Sequence, residues 1–93
     1  MSLTPRERAR LKALAHSLKP VHHIGKEGVT EAGLTAIRDA FNQRELIKVK
    51  VRESSPQSAA AAGALVSEGL DGVEHVQTIG RTIILYRPLP KDA

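Results

Sequence analysis

The chain has no cysteine and no tryptophan, and its only aromatic side chains are Phe41 and Tyr86. Without thiols there are no disulfides, no thiolate zinc sites and no cysteine nucleophile, a composition compatible with a reducing compartment. With so few rings, the chain lacks the rows of exposed aromatics on which many RNA-binding modules stack bases. No run approaches the roughly 20 apolar residues of a membrane-spanning helix. The charged start from Ser2 to Arg10 also lacks the apolar segment of a secretory signal. The expectation is a soluble protein of the cytoplasm.

What the chain does have is length for one compact domain and an excess of positive charge. Its 93 residues suffice for a single hydrophobic core and leave little room for a deep catalytic cleft. Fourteen Lys and Arg against ten Asp and Glu give a formal charge of +4, a balance that suits a polyanionic partner. The charge is uneven: up to residue 26, Arg6, Arg8, Arg10, Lys12, Lys19 and Lys26 are opposed only by Glu7. A basic amino-terminal face is expected.

The run Gly25-Lys26-Glu27-Gly28-Val29-Thr30 joins the short apolar stretch from Val21 to Ile24 to an amphipathic helical pattern that begins at Glu31. Its two glycines permit positive φ and close backbone approach. Thr30 supplies a helix N-cap, so the loop sits at the positive end of a helix dipole, where a phosphate is favoured. The same spacing also describes an ordinary β-to-α turn.

Around this loop the elements read in sequence. Thr4-Pro5-Arg6-Glu7 combines an N-cap, a first-turn proline and a capping-box glutamate. The helix that follows is predicted to reach about Ser17, with Leu11, Leu14 and Leu18 as its buried stripe and Arg6, Arg10 and Lys12 outside it. Pro20 ends the helix and starts a strand through Ile24. A second helix runs to about Gln43, burying Leu34, Ile37 and Phe41, with Val29 and Leu34 spaced as a hydrophobic staple. Ile47, Val49 and Val51 then alternate with Lys48, Lys50 and Arg52 as a strand with one core face and one basic face. Ser54-Ser55-Pro56 is read as the start of a third, alanine-rich helix ending near Gly69. Two final strands, about 74–79 and 82–87, flank Gly80-Arg81, the signature of a type II′ hairpin. Pro88 and Pro90 close the sheet before a short charged tail, 89–93. The predicted fold is a compact α/β sandwich, α-β-α-β-α-β-β, with a mixed four-stranded sheet. Its β-α-β passages imply neighbouring or near-neighbouring parallel strands. One domain, 1–93, is expected, with its core at about 3–88.

Catalytic and metal chemistry find little support. His22 and His23 are adjacent on a strand and point to opposite faces, and neither His16 nor His75 completes a chelating cluster. No nucleophile, base and orienting group can be read from the spacing, so neither an enzyme nor a cofactor is expected.

The marks Leu11-Lys12-Ala13-Leu14-Ala15-His16, Leu18-Lys19-Pro20-Val21, Gly25 to Thr30, Glu45 to Val51 and Ile79 to Arg87 occur in the order seen in a known family. The chain resembles the CRM domain (chloroplast RNA splicing and ribosome maturation), in its stand-alone bacterial YhbY-like form, from about Leu3 to Pro88. That resemblance implies a fold similar to the carboxy-terminal domain of bacterial translation initiation factor three. It also implies a non-enzymatic module that binds structured RNA, with large-subunit rRNA in pre-ribosomal particles as the partner. The implied contacts are the backbone of Gly25, Glu27, Gly28 and Thr30 with the Lys26 side chain, Glu27 turning to solvent or to a base edge. The basic surfaces of Arg6, Arg10, Lys12, Lys19, Lys48, Lys50, Arg52, Arg81 and Arg87 extend the footprint. A monomer is the default state. A DNA-binding regulator and an adaptor docking on a ribosomal protein remain the alternatives, although no helix-turn-helix is legible.

Overall fold

A computed structural model describes residues 3–89. The elements are α1 (Pro5–Ala15), β1 (His22–Ile24), α2 (Glu31–Ala40), β2 (Leu46–Val51), α3 (Ala59–Gly69), β3 (Glu74–Ile79) and β4 (Thr82–Tyr86). One four-stranded sheet has the order β1-β2-β4-β3. β1 and β2 are parallel, while β4 runs antiparallel to both β2 and β3. β3 is therefore parallel to β2 with β4 between them, the near-neighbour arrangement predicted from the β-α-β passages. Pro90 and the rest of the charged tail lie outside the described residues.

The hydrophobic pattern of β4 explains its central place. Ile83, Ile84 and Leu85 are consecutive and fully buried, which requires cover on both faces of the strand. On one face, Ile83 and Leu85 join Ile47, Val49 and Val51 beneath α2 and α3, with Ile37, Phe41, Ala62 and Val66. On the other, Ile84 meets Leu11 and Ala15 of α1 and Val76 of β3. α1 thus covers part of the sheet face on which Lys48 and Lys50 were expected to carry positive charge. Gly80 has φ +58° and Arg81 a negative φ, as the type II′ hairpin requires.

α1 begins with the predicted capping box between Thr4 and Glu7 but ends at Ala15, short of Ser17. Its last turn tightens as the His16 N–H bonds to the Ala13 carbonyl, and the Leu18 N–H then bonds to the Ala15 carbonyl. The Lys48 ammonium donates to the His16 and Leu18 carbonyls at 3.3 and 3.1 Å, so it seals the helix end. The predicted stripe is also corrected: Leu14 is 53% exposed, and Ala15 is buried beside Leu11. At about 100° per residue, the buried face centres between Leu11 and Ala15, and Leu14 falls well to one side.

The rotation of α1 brings Arg8 towards the sheet. β3 carries a bulge between His75 and Gln77, and such a bulge interrupts the ladder. The Arg8 guanidinium donates to the His75 and Val76 carbonyls at 3.0 and 2.9 Å. The His75 ring lies on the opposite side, against Gly63 of α3, where an added Cβ would stand 2.5 Å from it.

α3 starts at Ala59, later than the predicted Ser54-Ser55-Pro56. The Ser55 hydroxyl accepts from the Gln57 N–H and donates to the Gln57 carbonyl, which holds this segment in a turn. Ser58 then caps the helix, accepting from the Ala61 N–H at 3.1 Å.

Arg8→Met strips two backbone carbonyls of their donor and is expected to cost about 1–3 kcal/mol in urea denaturation; an unchanged midpoint would show that water serves the bulge equally well. His22 and His75 both bind a proton less readily than an ordinary histidine of pKa 6.5. Burial is the main cause for each, aided by His23 at His22, and by Arg8 at His75, where a hydrogen bond to the Gln77 backbone opposes it. The unfolded chain therefore binds more protons as pH falls, so stability is intact above 6.5 and declines below it. Tm is expected to drop between about pH 7.5 and about pH 5.5, and to drop less in the His22→Gln/His75→Gln double variant.

Candidate nucleic-acid interface

β1 and β2 are parallel, so both end at the same pole of the sheet, where the β3–β4 hairpin tip also lies. The Arg52 N–H donates to the Ile24 carbonyl at 2.8 Å and the Val51 N–H to the Arg81 carbonyl at 2.7 Å. These bonds gather the Gly25–Gly28 loop, Lys50, Arg52 and Arg81 at one end of the molecule. Lys50, Arg52 and Arg81 line one depression with Glu53 and Ser54. The loop borders a second, of about 410 Å³, with His22, Lys26, Glu27, Thr30 and Gly33.

The loop itself is a turn closed by the Gly28 N–H on the Gly25 carbonyl at 2.9 Å, which leaves Lys26 and Glu27 exposed at its tip. Its two glycines have different roles. Gly28 has φ +71°, and an added Cβ would collide with the Gln57 side-chain oxygen, whereas a Cβ on Gly25 would meet nothing within 4 Å. The same Gln57 oxygen accepts from the Val29 N–H at 3.3 Å. Gln57, which the sequence reading did not single out, thus ties the loop to the segment before α3.

Those bonds also occupy several backbone donors of the loop and the start of α2. Gly28 and Val29 use their N–H groups internally, and Thr30 Oγ1 accepts from the Gly33 N–H at 3.0 Å, as an N-cap should. The first-turn N–H groups of Glu31 and Ala32 have no intrahelical acceptor. Glu27 and Glu31 are both exposed beside them, so Lys26 is the cation of the loop and the denser positive charge stands at Lys50, Arg52 and Arg81. Arg81 makes one exposed ion pair with Glu53 at 3.5 Å, a contact worth little in water.

The remaining candidates separate from this pole. Lys48 is half-buried and bonded to the end of α1. Arg6, Arg10 and Lys12 are exposed along α1, and Lys19 is exposed in the segment leading to β1. Arg87 lies at the far end of the sheet, where its N–H donates to the Glu45 carbonyl, and it borders a depression with Glu7, Asp71 and Glu74. Among the described residues, no group of three or more His, Asp or Glu could hold a metal ion, and no helix is long and apolar enough to cross a membrane.

Residues 3–87 match the CRS1/YhbY (CRM) domain model. The chain belongs to the CRS1/YhbY (CRM) domain family. It is 41% identical over 88 residues to a Haemophilus influenzae protein named "RNA-binding protein", covering 94% of this chain and 87% of that one. A Bacillus subtilis protein named "Probable RNA-binding protein YqeI" is 35% identical over 85 residues, 91% of this chain and 88% of its own length. The fold also matches the solution structure of SAV1595 from Staphylococcus aureus, with a TM-score of 0.82, 34% identity, and coverage of 99% and 95% of the two chains. The CRM relatives thus support RNA as the class of partner.

The unequal glycines generate a test. Gly28→Ala is expected to cost about 1–2 kcal/mol, because it strains a left-handed residue and displaces Gln57. Gly25→Ala is expected to leave the urea midpoint within about 0.5 kcal/mol of the parent. Equal losses in the two variants would mean that the loop is held in some other way, and Gly25 alone is the site at which loop shape can be altered without disturbing Gln57.

Proposed function

We propose that this CRM-family chain is a non-enzymatic, monomeric RNA-binding protein of the cytoplasm that binds structured rRNA on precursors of the large ribosomal subunit. The observation that carries the reading is the convergence of Lys50, Arg52 and Arg81 with the Gly25–Gly28 loop at one pole of the sheet. Three cationic side chains on short, well-anchored backbone suit a line of phosphates, because an ammonium or guanidinium beside a phosphate displaces condensed counterions. Lys26 and the first turn of α2 extend that surface, and Arg6, Arg10, Lys12 and Lys19 add a second basic band along α1. Both aromatic rings take part in packing: Phe41 is in the core and Tyr86 packs beside α1. Recognition at this pole is therefore of backbone and shape more than of stacked bases.

Crosslinking in cells followed by sequencing of the bound RNA tests the partner. Localised enrichment on precursor large-subunit rRNA is the expected result, and a signal that follows total RNA abundance would overturn the assembly role. Competition between structured RNA and duplex DNA at equal salt tests the nucleic acid, with RNA expected to win. The triple variant Lys50→Ala/Arg52→Ala/Arg81→Ala is expected to remove about 2–3 from the slope of log affinity against log salt. Arg87→Ala is expected to leave that slope alone, whereas Lys48→Met should lower stability by about 1 kcal/mol by freeing the His16 and Leu18 carbonyls.

A further inference from the structure

We propose that the groove between α1 and the sheet receives an unpaired nucleobase of RNA, a site separate from the phosphate-holding pole; the inference rests on the RNA-binding reading above. The groove exists because α1 carries two faces. Leu11 and Ala15 form the buried one, while Ala9, Lys12, Ala13 and His16, spaced i, i+3, i+4 and i+7, form a second contiguous flank. That flank looks across to the β3–β4 hairpin, and the methyl groups of Ala9 and Ala13 are too small to cover Ile79, while the buried Ile84 closes the floor. The result is a groove of about 640 Å³ whose apolar walls are Ala9, Ala13, Ile79 and Ile84, within the size range of small-molecule sites.

Ile79 is the exposed signal of this groove. It is 48% exposed at the end of β3, while Ile84 is 1% exposed. The remaining lining is Lys12, His16, Lys48 and Thr82, with no carboxylate among the lining residues. A flat apolar ring joined to an anion meets both halves of this chemistry. The ring would lie between the alanine methyls and the isoleucine side chains, its phosphate would meet the Lys12 ammonium, and the Thr82 hydroxyl would face a base edge. Lys48 has two of its three protons engaged by the His16 and Leu18 carbonyls just past α1, leaving one for the ligand. A hydrophobic peptide would leave the cations unanswered, and an acidic peptide would leave the apolar walls unfilled.

The groove is also continuous with the pole. Lys50 pairs with Thr82 across β2 and β4, and Thr82 lines the groove while Lys50 lines the neighbouring basic depression with Arg52 and Arg81. An RNA strand crossing Lys50 therefore passes the groove mouth. In a chain whose two aromatic rings are engaged in packing, aliphatic walls are the available means of holding a base.

The test compares a ten-nucleotide oligouridylate with the same oligonucleotide carrying three central abasic residues, alongside a structured RNA hairpin. The parent protein is expected to bind the intact oligonucleotide about fivefold more tightly than the abasic one, about what the weakest base–aromatic stacks contribute. Ala13→Leu fills the groove from an exposed helical position and is expected to abolish that preference while leaving abasic affinity unchanged. Ile79→Ser removes one wall and gives an independent variant should Ala13→Leu fail to fold. In the parent, the Ile79 and Ile84 methyl resonances are expected to shift on adding oligouridylate and not on adding the abasic form. Equal affinity of the parent for the two oligonucleotides, or an undiminished preference in folded Ala13→Leu, would overturn the base site alone. Failure of the parent to bind the hairpin and both oligonucleotides would instead overturn the RNA reading on which it rests.

Discussion

Burial of β4 on both faces is the constraint from which the rest of the molecule follows. Ile83 and Leu85 must point into the core under α2 and α3, and Ile84, between them, must point the other way, where only α1 can shield it. A strand with that requirement cannot sit at a sheet edge, so the chain places it between β2 and β3 although it is the last strand to be made. Its insertion turns β3 into an edge strand, and the hairpin tip is carried to the pole where β1 and β2 end. The basic residues gathered there owe their proximity to an apolar strand that contains none of them.

The same packing sorts the cations into two kinds. Arg8 and Lys48 donate to backbone carbonyls that secondary structure has left unpaired, one at the β3 bulge and one at the end of α1. An unpaired carbonyl near the interior is costly, and a flexible cationic side chain satisfies it while its charge stays near water. Lys50, Arg52 and Lys26 have no such duty and are exposed. Net charge alone treats these residues alike, yet two are bonded to backbone carbonyls and three stand exposed.

Much of the local structure was legible because it depends on nearest neighbours in the chain. The Thr4 capping box, the Thr30 N-cap, the alternation of β2, the Gly80-Arg81 turn and the core role of Ile37 and Phe41 are all set within a few residues. The errors lay where distant groups intervene. Leu14 fits the helical stripe as well as Ala15 does, but the sheet surface selects the face that small Ala15 lets approach. Ser54-Ser55-Pro56 has the composition of a helix start, yet the Ser55 and Gln57 bonds hold it as a turn, and Gln57 is needed beneath Gly28. Lys48 and Lys50 are equivalent in an alternating pattern, and only the position of the α1 terminus distinguishes them.

By itself, the sequence determined the elements, their order, the mixed sheet and the presence of a glycine turn ahead of a capped helix, since hydrophobic period, caps and turn residues are short-range signals. It also carried the family resemblance, because the marks that identify the CRM domain are contiguous runs. Tertiary structure decided which cations are exposed, which loop glycine takes a positive φ against Gln57, and that Lys50, Arg52 and Arg81 share a pole with the loop. Those outcomes depend on strand order and helix placement, which arise from burying β4 on two sides, and such long-range packing has no signature in any single stretch of residues.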